Sequence, residues 1–156
     1  MKRLWTLFGL ITTSAFGQQL PPAQVQLDSH VFLEKTVSDA NGRSSVKLEE
    51  PAKVVPGDKL LFTIRYANNS GKAADNFVVT NPIPGAVEFA GDESAGAEVS
   101  VDGGKTFGRL AALKVSGADS KLRAAVPADV THLRWKFAKP IGAGAAETLK
   151  FHAIVK

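Results

Sequence analysis

Lys59-Leu60-Leu61-Phe62-Thr63-Ile64-Arg65-Tyr66-Ala67 alternates with a period of two, and the fold follows from that stretch. Successive side chains of a strand point to opposite faces, so Leu60, Phe62, Ile64 and Tyr66 share one face and Leu61, Thr63 and Arg65 the other. The pattern returns at 129–137, where Thr131, Leu133, Trp135 and Phe137 oppose His132, Arg134 and Lys136. It returns again at the C-terminus with Leu149, Phe151, Ala153 and Val155. No segment keeps a helical stripe. Further strands are expected at 31–37, 45–49, 76–80, 87–90, 98–101 and 109–115. Between them stand turn residues: Asn41-Gly42, Pro56-Gly57, Asn68-Asn69-Ser70-Gly71, Asn81-Pro82-Ile83-Pro84-Gly85 and Asp102-Gly103-Gly104. Short strands at this spacing predict an all-β chain, an antiparallel two-sheet β-sandwich.

The chain is 156 residues long, which is room for one domain. With 44% hydrophobic residues it is too apolar for disorder. Cysteine is absent, which excludes disulfide scaffolds, thiolate metal sites and cysteine nucleophiles. Lys2 and Arg3 precede the apolar run Leu4-Trp5-Thr6-Leu7-Phe8-Gly9-Leu10-Ile11, and Ala15-Phe16-Gly17 sets small residues before Gln18. That layout predicts a secretory signal over 1–17, cleaved after Gly17, and a periplasmic or secreted protein. No later apolar stretch is long enough to span a bilayer, so no transmembrane anchor is expected. Residues 18–30 are polar and contain Pro21-Pro22, predicting an extended leader before a domain at 31–156.

The order of signals within 53–155 resembles the DUF11 repeat family of bacterial surface and envelope proteins. Val54-Val55-Pro56-Gly57-Asp58-Lys59-Leu60, the strand that follows, and Asn68-Asn69-Ser70-Gly71 are similar to that family's opening. Asn76-Phe77-Val78-Val79-Thr80-Asn81-Pro82-Ile83-Pro84-Gly85 resembles its central strand and proline turn. Leu133-Arg134-Trp135, Pro140, residues 142–144 and residues 148–155 resemble its closing hairpin. The resemblance implies an immunoglobulin-like sandwich and no catalytic residues. Family members often carry many tandem copies, whereas this chain has one copy and no repeat period.

Ser100-Val101-Asp102-Gly103-Gly104-Lys105-Thr106-Phe107 fits an Asp-box, Ser-x-Asp-x-Gly-x-Thr-Trp, with Phe in the last place. The box resembles a structural hairpin of sialidase-type propellers. Here it predicts a single turn, since one Asp supplies too few oxygens for calcium. Trp135 is expected as a core anchor whose indole N–H needs a partner. Asn68-Asn69-Ser70 is formally a glycosylation sequon and equally a hairpin turn. A hairpin joining the last two strands would set His132 opposite His152, Arg134 opposite Lys150 and Lys136 opposite Thr148. These five residues, His132, Arg134, Lys136, Lys150 and His152, would then form either a plain solvated face or a basic stripe for anionic glycans or lipids. Metal and cofactor sites are not predicted. Residues 18–108 carry net −4 and residues 109–156 net +6, an asymmetry that favours either head-to-tail self-association or contact with anionic envelope glycans or lipids. The resulting +2 is too small to predict a nucleic-acid partner. Nucleophile elbow, phosphate-cradling glycine loop and His-x-x-x-His pair are all missing from the sequence. The expectation is a non-catalytic envelope module that binds another envelope protein or itself, including by exchange of the leader or residues 31–37 onto a neighbour's open edge.

Overall fold

The computed structural model describes residues 25–94, 96–117 and 120–156; the expected signal segment and residues 18–24 lie outside the described residues. Ten strands follow in order: β1 Val25–Ser38, β2 Ser44–Glu49, β3 Lys59–Asn68, β4 Val78–Pro82, β5 Val87–Asp92, β6 Glu98–Ser100, β7 Lys114–Ser116, β8 Leu122–Ala124, β9 His132–Lys136 and β10 Ala146–Val155. They form antiparallel open sheets ordered β2-β1-β3-β10-β5, β4-β9-β6 and β7-β8. The chain is therefore all-β. Among the described residues no helix is long and apolar enough to cross a membrane.

β3 holds the centre because it is apolar on the face that alternation predicted and lies between two long partners. Leu60, Ile64 and Tyr66 are buried and Phe62 packs against them, while Arg65 is exposed. Leu61, on the opposite face, is buried too; it stands in one row between Phe32 of β1 and His152 of β10. One core joins the inner faces of the two larger sheets. Ile64, Tyr66, Leu149 and Phe151 come from the first, Val79, Val99, Leu133 and Trp135 from the second. Phe151 stacks on Phe62 with ring centroids 4.7 Å apart, and Trp135 lies across Phe151 at 6.3 Å. A smaller cluster of Leu33, Leu60, Val87 and Ala153 continues the core toward the other end.

Three expectations are corrected here. Residues 25–30, expected in a leader, are the first part of β1 and pair with β3 from Val25↔Asn68 onward. The run Val25, Leu27, Ser29, Val31, Leu33 keeps a period of two that the neighbouring prolines obscure. Residues 109–115, expected as a strand, divide into a 3-10 turn at Leu110–Ala112 and the short β7, whose partner β8 was not foreseen. β9 and β10 do not form a hairpin. β9 pairs with β4 and β6, whereas β10 pairs with β3 and β5. The connection between them changes sheets and is fastened midway: Ala74 and Ile141 exchange backbone hydrogen bonds of 2.9 Å, and the Asn68 amide donates to the Ile141 carbonyl at 2.8 Å.

Sheet edges are treated unequally. Pro82 removes a donor at the end of β4 and Pro84 lies just beyond it, but they do not end pairing after Val79 as the two prolines would suggest: β4 pairs with β9 through Pro82↔His132. β5 carries an irregularity opposite His152 and Ala153, which breaks its regular edge. β2 has neither device.

Candidate functional site

The five residues expected on one basic face are divided between two sheets, and most of their charge is met locally. In β9, Arg134 donates to Glu98 Oε2 through Nε at 3.0 Å and Nη2 at 2.6 Å, while its guanidinium lies 3.9 Å from the Phe107 ring centroid. Lys136 Nζ approaches the same carboxylate at 3.0 Å. These contacts, Arg134 first, hold the Glu98 carboxyl below its usual range. His132 Nδ1 lies 3.1 Å from Thr131 Oγ1. In β10, His152 lies between carboxylates, Nδ1 3.0 Å from Glu34 and Nε2 2.7 Å from Glu93. Lys150 is exposed, and its backbone N–H donates to Ser94 Oγ at 2.6 Å. The pairs His132–His152, Arg134–Lys150 and Lys136–Thr148 do not form, because pairing never brings β9 beside β10. The cross-strand neighbour of Arg134 is acidic Glu98, not Lys150.

The Asp-box is a turn, as its local chemistry dictates. Asp102 Oδ1 accepts from Ser100 Oγ at 2.7 Å and Thr106 N at 2.9 Å, and Oδ2 accepts from Thr106 Oγ1 at 2.7 Å. Gly104 takes φ +84°, where a Cβ would be strained and would also meet the His132 ring at 3.4 Å. Thr106 above all, then Ser100, hold the Asp102 carboxyl far below the usual carboxylate range. A depressed folded value means the contribution is present above the unfolded pKa and is lost as pH falls. Asp102→Asn is therefore expected to be less stable than the parent at pH 7, with the gap narrowing steadily below about pH 4. Urea midpoints of both proteins across that range check it; a gap independent of pH would refute the ionised-turn account.

A cleft of about 570 Å³ opens beside the core, lined by Tyr66, Trp135, Phe137, Lys139, Ile141 and Glu147 among others. Tyr66 donates to Glu147 Oε2 at 2.8 Å, and burial pushes its phenol up to about 12, so it is a neutral donor. Trp135 is 3% exposed and its Nε1 has no hydrogen-bond partner among the described residues, contrary to the expectation that it would find one. The cleft offers apolar walls with the Tyr66–Glu147 pair at their edge; among the described residues no three His, Cys, Asp or Glu side chains are placed to hold a metal ion.

The β1–β2 hairpin is largely exposed. β1 pairs with β3 only as far as Glu34↔Lys59, so residues 35–38 pair with β2 alone and the hairpin projects as an arm. Its tip is closed by Asp39, whose carboxylate accepts Asn41 N at 2.8 Å and Arg43 N at 2.9 Å, and by Gly42 at φ +77°. Lys35 and Lys47 reach Glu49 at 2.7 and 3.2 Å. Val37, Val46 and Leu48 are left in solvent, Val46 at 62% exposure. Both strands and the tip dipeptide are readable in the sequence; the projection is not, since it depends on where β3 begins.

An all-β chain of antiparallel sheets is thus the class the geometry defines. Comparison with protein-family profiles, curated proteins and solved structures finds no match.

Proposed function

We propose that this chain is an exported, non-catalytic interaction module of the bacterial envelope, an immunoglobulin-like β-sandwich related to the DUF11 repeat family. It acts by binding another envelope protein or a second copy of itself. The observation that supports this most is the arm, which exposes Val46 and Leu48 on an edge strand that no strand other than β1 pairs with among the described residues. Apolar side chains beside unpaired backbone groups are the requirement for strand addition. The signal segment at 1–17 supports a periplasmic or secreted location. A basic ligand face has less support, because Arg134, Lys136 and His152 are already met by carboxylates.

The test is a photo-crosslinking residue at Val46 in cells, read after fractionation. Covalent adducts to any protein, in the envelope or medium and resistant to about 1 M salt, are expected, since burial rather than screened charge holds the contact. An exported chain that yields no adduct, or a chain retained in the cytoplasm, would overturn the proposal.

A further inference from the structure

Resting on the reading of the arm as an interaction surface, we infer that the partner of β2 is β2 of a second copy, joined antiparallel across a twofold axis centred on Val46. The backbone parity comes first. Asp39 N donates to Arg43 O at 2.9 Å, so the hydrogen-bonded pairs that follow are Val37↔Ser45, Lys35↔Lys47 and Leu33↔Glu49. The N–H and C=O groups of Ser44, Val46 and Leu48 therefore face away from β1, along the open edge. Only even-numbered residues can form hydrogen-bonded pairs with a second β2.

That leaves four central registers. Centring on Ser45 pairs only the first half of the strand and sets Arg43 opposite Lys47 of the copy, like charge against like. Centring on Lys47 sets two ammonium groups opposite each other, which is unfavourable. Centring on Leu48 requires Glu50, which lies past the end of β2 and whose carbonyl already accepts Ala52 N at 3.0 Å. Centring on Val46 uses the whole strand: Val46 meets Val46 of the copy, and Leu48 meets Ser44 twice. On the other face Arg43 falls opposite Glu49 of the copy, also twice, so the charges are complementary. Proline and bulge are absent from β2, unlike β4 and β5. Exchange of residues 31–37 onto a neighbour, by contrast, would have to break pairing already made on both sides of β1. Two strands of this length bury less than the roughly 1,000 Å² of stable interfaces, so the contact is a weak one that a covalent trap reads best.

The absence of cysteine makes the trap clean. Facing residues of a hydrogen-bonded antiparallel pair have Cα atoms about 5.5 Å apart, within disulfide reach. In the Val46-centred register two Leu48 residues stand roughly 13 Å apart, beyond it. Purified residues 18–156 carrying V46C are expected to form disulfide dimers under mild oxidation at least about tenfold faster than L48C or K47C. Adding Leu48→Pro to V46C removes one outward N–H, leaves the β1 ladder intact and is expected to suppress the dimer. Unchanged circular dichroism would show that this variant folds. Equal crosslinking of all three cysteines, preference for L48C or K47C, or insensitivity to Leu48→Pro would overturn the inference. If V46C does not dimerise while the cellular crosslink at Val46 captures a different protein, the self-pairing falls and the interaction module stands.

Discussion

Phe151→Ala is expected to lower the unfolding free energy by about 3–5 kcal/mol, the range for removing a buried phenylalanine. Phe151 is fully buried, stacked on Phe62 at 4.7 Å within its own sheet and crossed by Trp135 of the other. Truncation removes the ring through which the two sheets meet, and backbone pairing on both sides of β10 prevents the gap from collapsing. Stabilities of domains this size are about 5–15 kcal/mol, so the variant would lose a large part of the total. Urea unfolding followed by Trp135 fluorescence measures it directly. Trp5, the other tryptophan, lies in the segment expected to be cleaved. A loss under about 1 kcal/mol would mean that the core does not depend on this ring.

The second large effect is expected at Asn68. This residue is fully buried at the end of β3, and its side chain ties together two connections, β3 to β4 and β9 to β10. Nδ2 donates to the carbonyls of Lys72 and Ile141, each at 2.8 Å, while Oδ1 accepts from Ser70 N at 3.1 Å and Ser70 Oγ at 2.7 Å. Asn68→Asp conserves shape, deletes both donors and aims a carboxylate at two carbonyl oxygens. The Ile141 carbonyl keeps Ala74 N and the Lys72 carbonyl keeps Ser70 Oγ, so the cost is two lost hydrogen bonds plus a buried charge set against carbonyl oxygens, and a loss of about 3–5 kcal/mol at pH 7 is expected. Burial raises the folded pKa of the new carboxyl above its unfolded value. Its penalty is then relieved as pH falls through that raised value, because the protonated acid regains one donor. Chemical denaturation at pH 7 and near pH 4.5 separates the two states. A variant as stable as the parent at pH 7 would show that the connection from β9 to β10 is fastened elsewhere.

What could be read from sequence was whatever depends on near neighbours. β3, β9 and β10 were legible because each keeps a period of two with one face buried. The Asp-box was legible because Ser100, Asp102 and Thr106 satisfy one another within a few residues. Sheet membership was not. Alternation says which face of a strand is inward but not which strand lies beside it, and so 132–136 and 146–155 were paired where the chain changes sheets. The basic stripe failed for the same reason: Arg134 and Lys136 share the Glu98 carboxylate, more than thirty residues earlier, and His152 is held by Glu34 and Glu93. The arm was legible as two strands and a turn. Its open edge became visible only once the span of β1 against β3 was known.

The burial of Asn68 has one more consequence. It is the acceptor position of Asn68-Asn69-Ser70, yet both of its amide hydrogens are engaged in the folded chain. An oligosaccharyltransferase could attach a glycan only before β3 closes against the 137–145 connection. In a glycosylating expression host, sugar at this position would therefore mark chains that were slow to fold, and the glycan would keep them from folding. Occupancy measured by mass spectrometry becomes a clock for folding against transfer, and eliminating the sequon through Ser70 rather than Asn68 retains the amide that holds the two sheets in register.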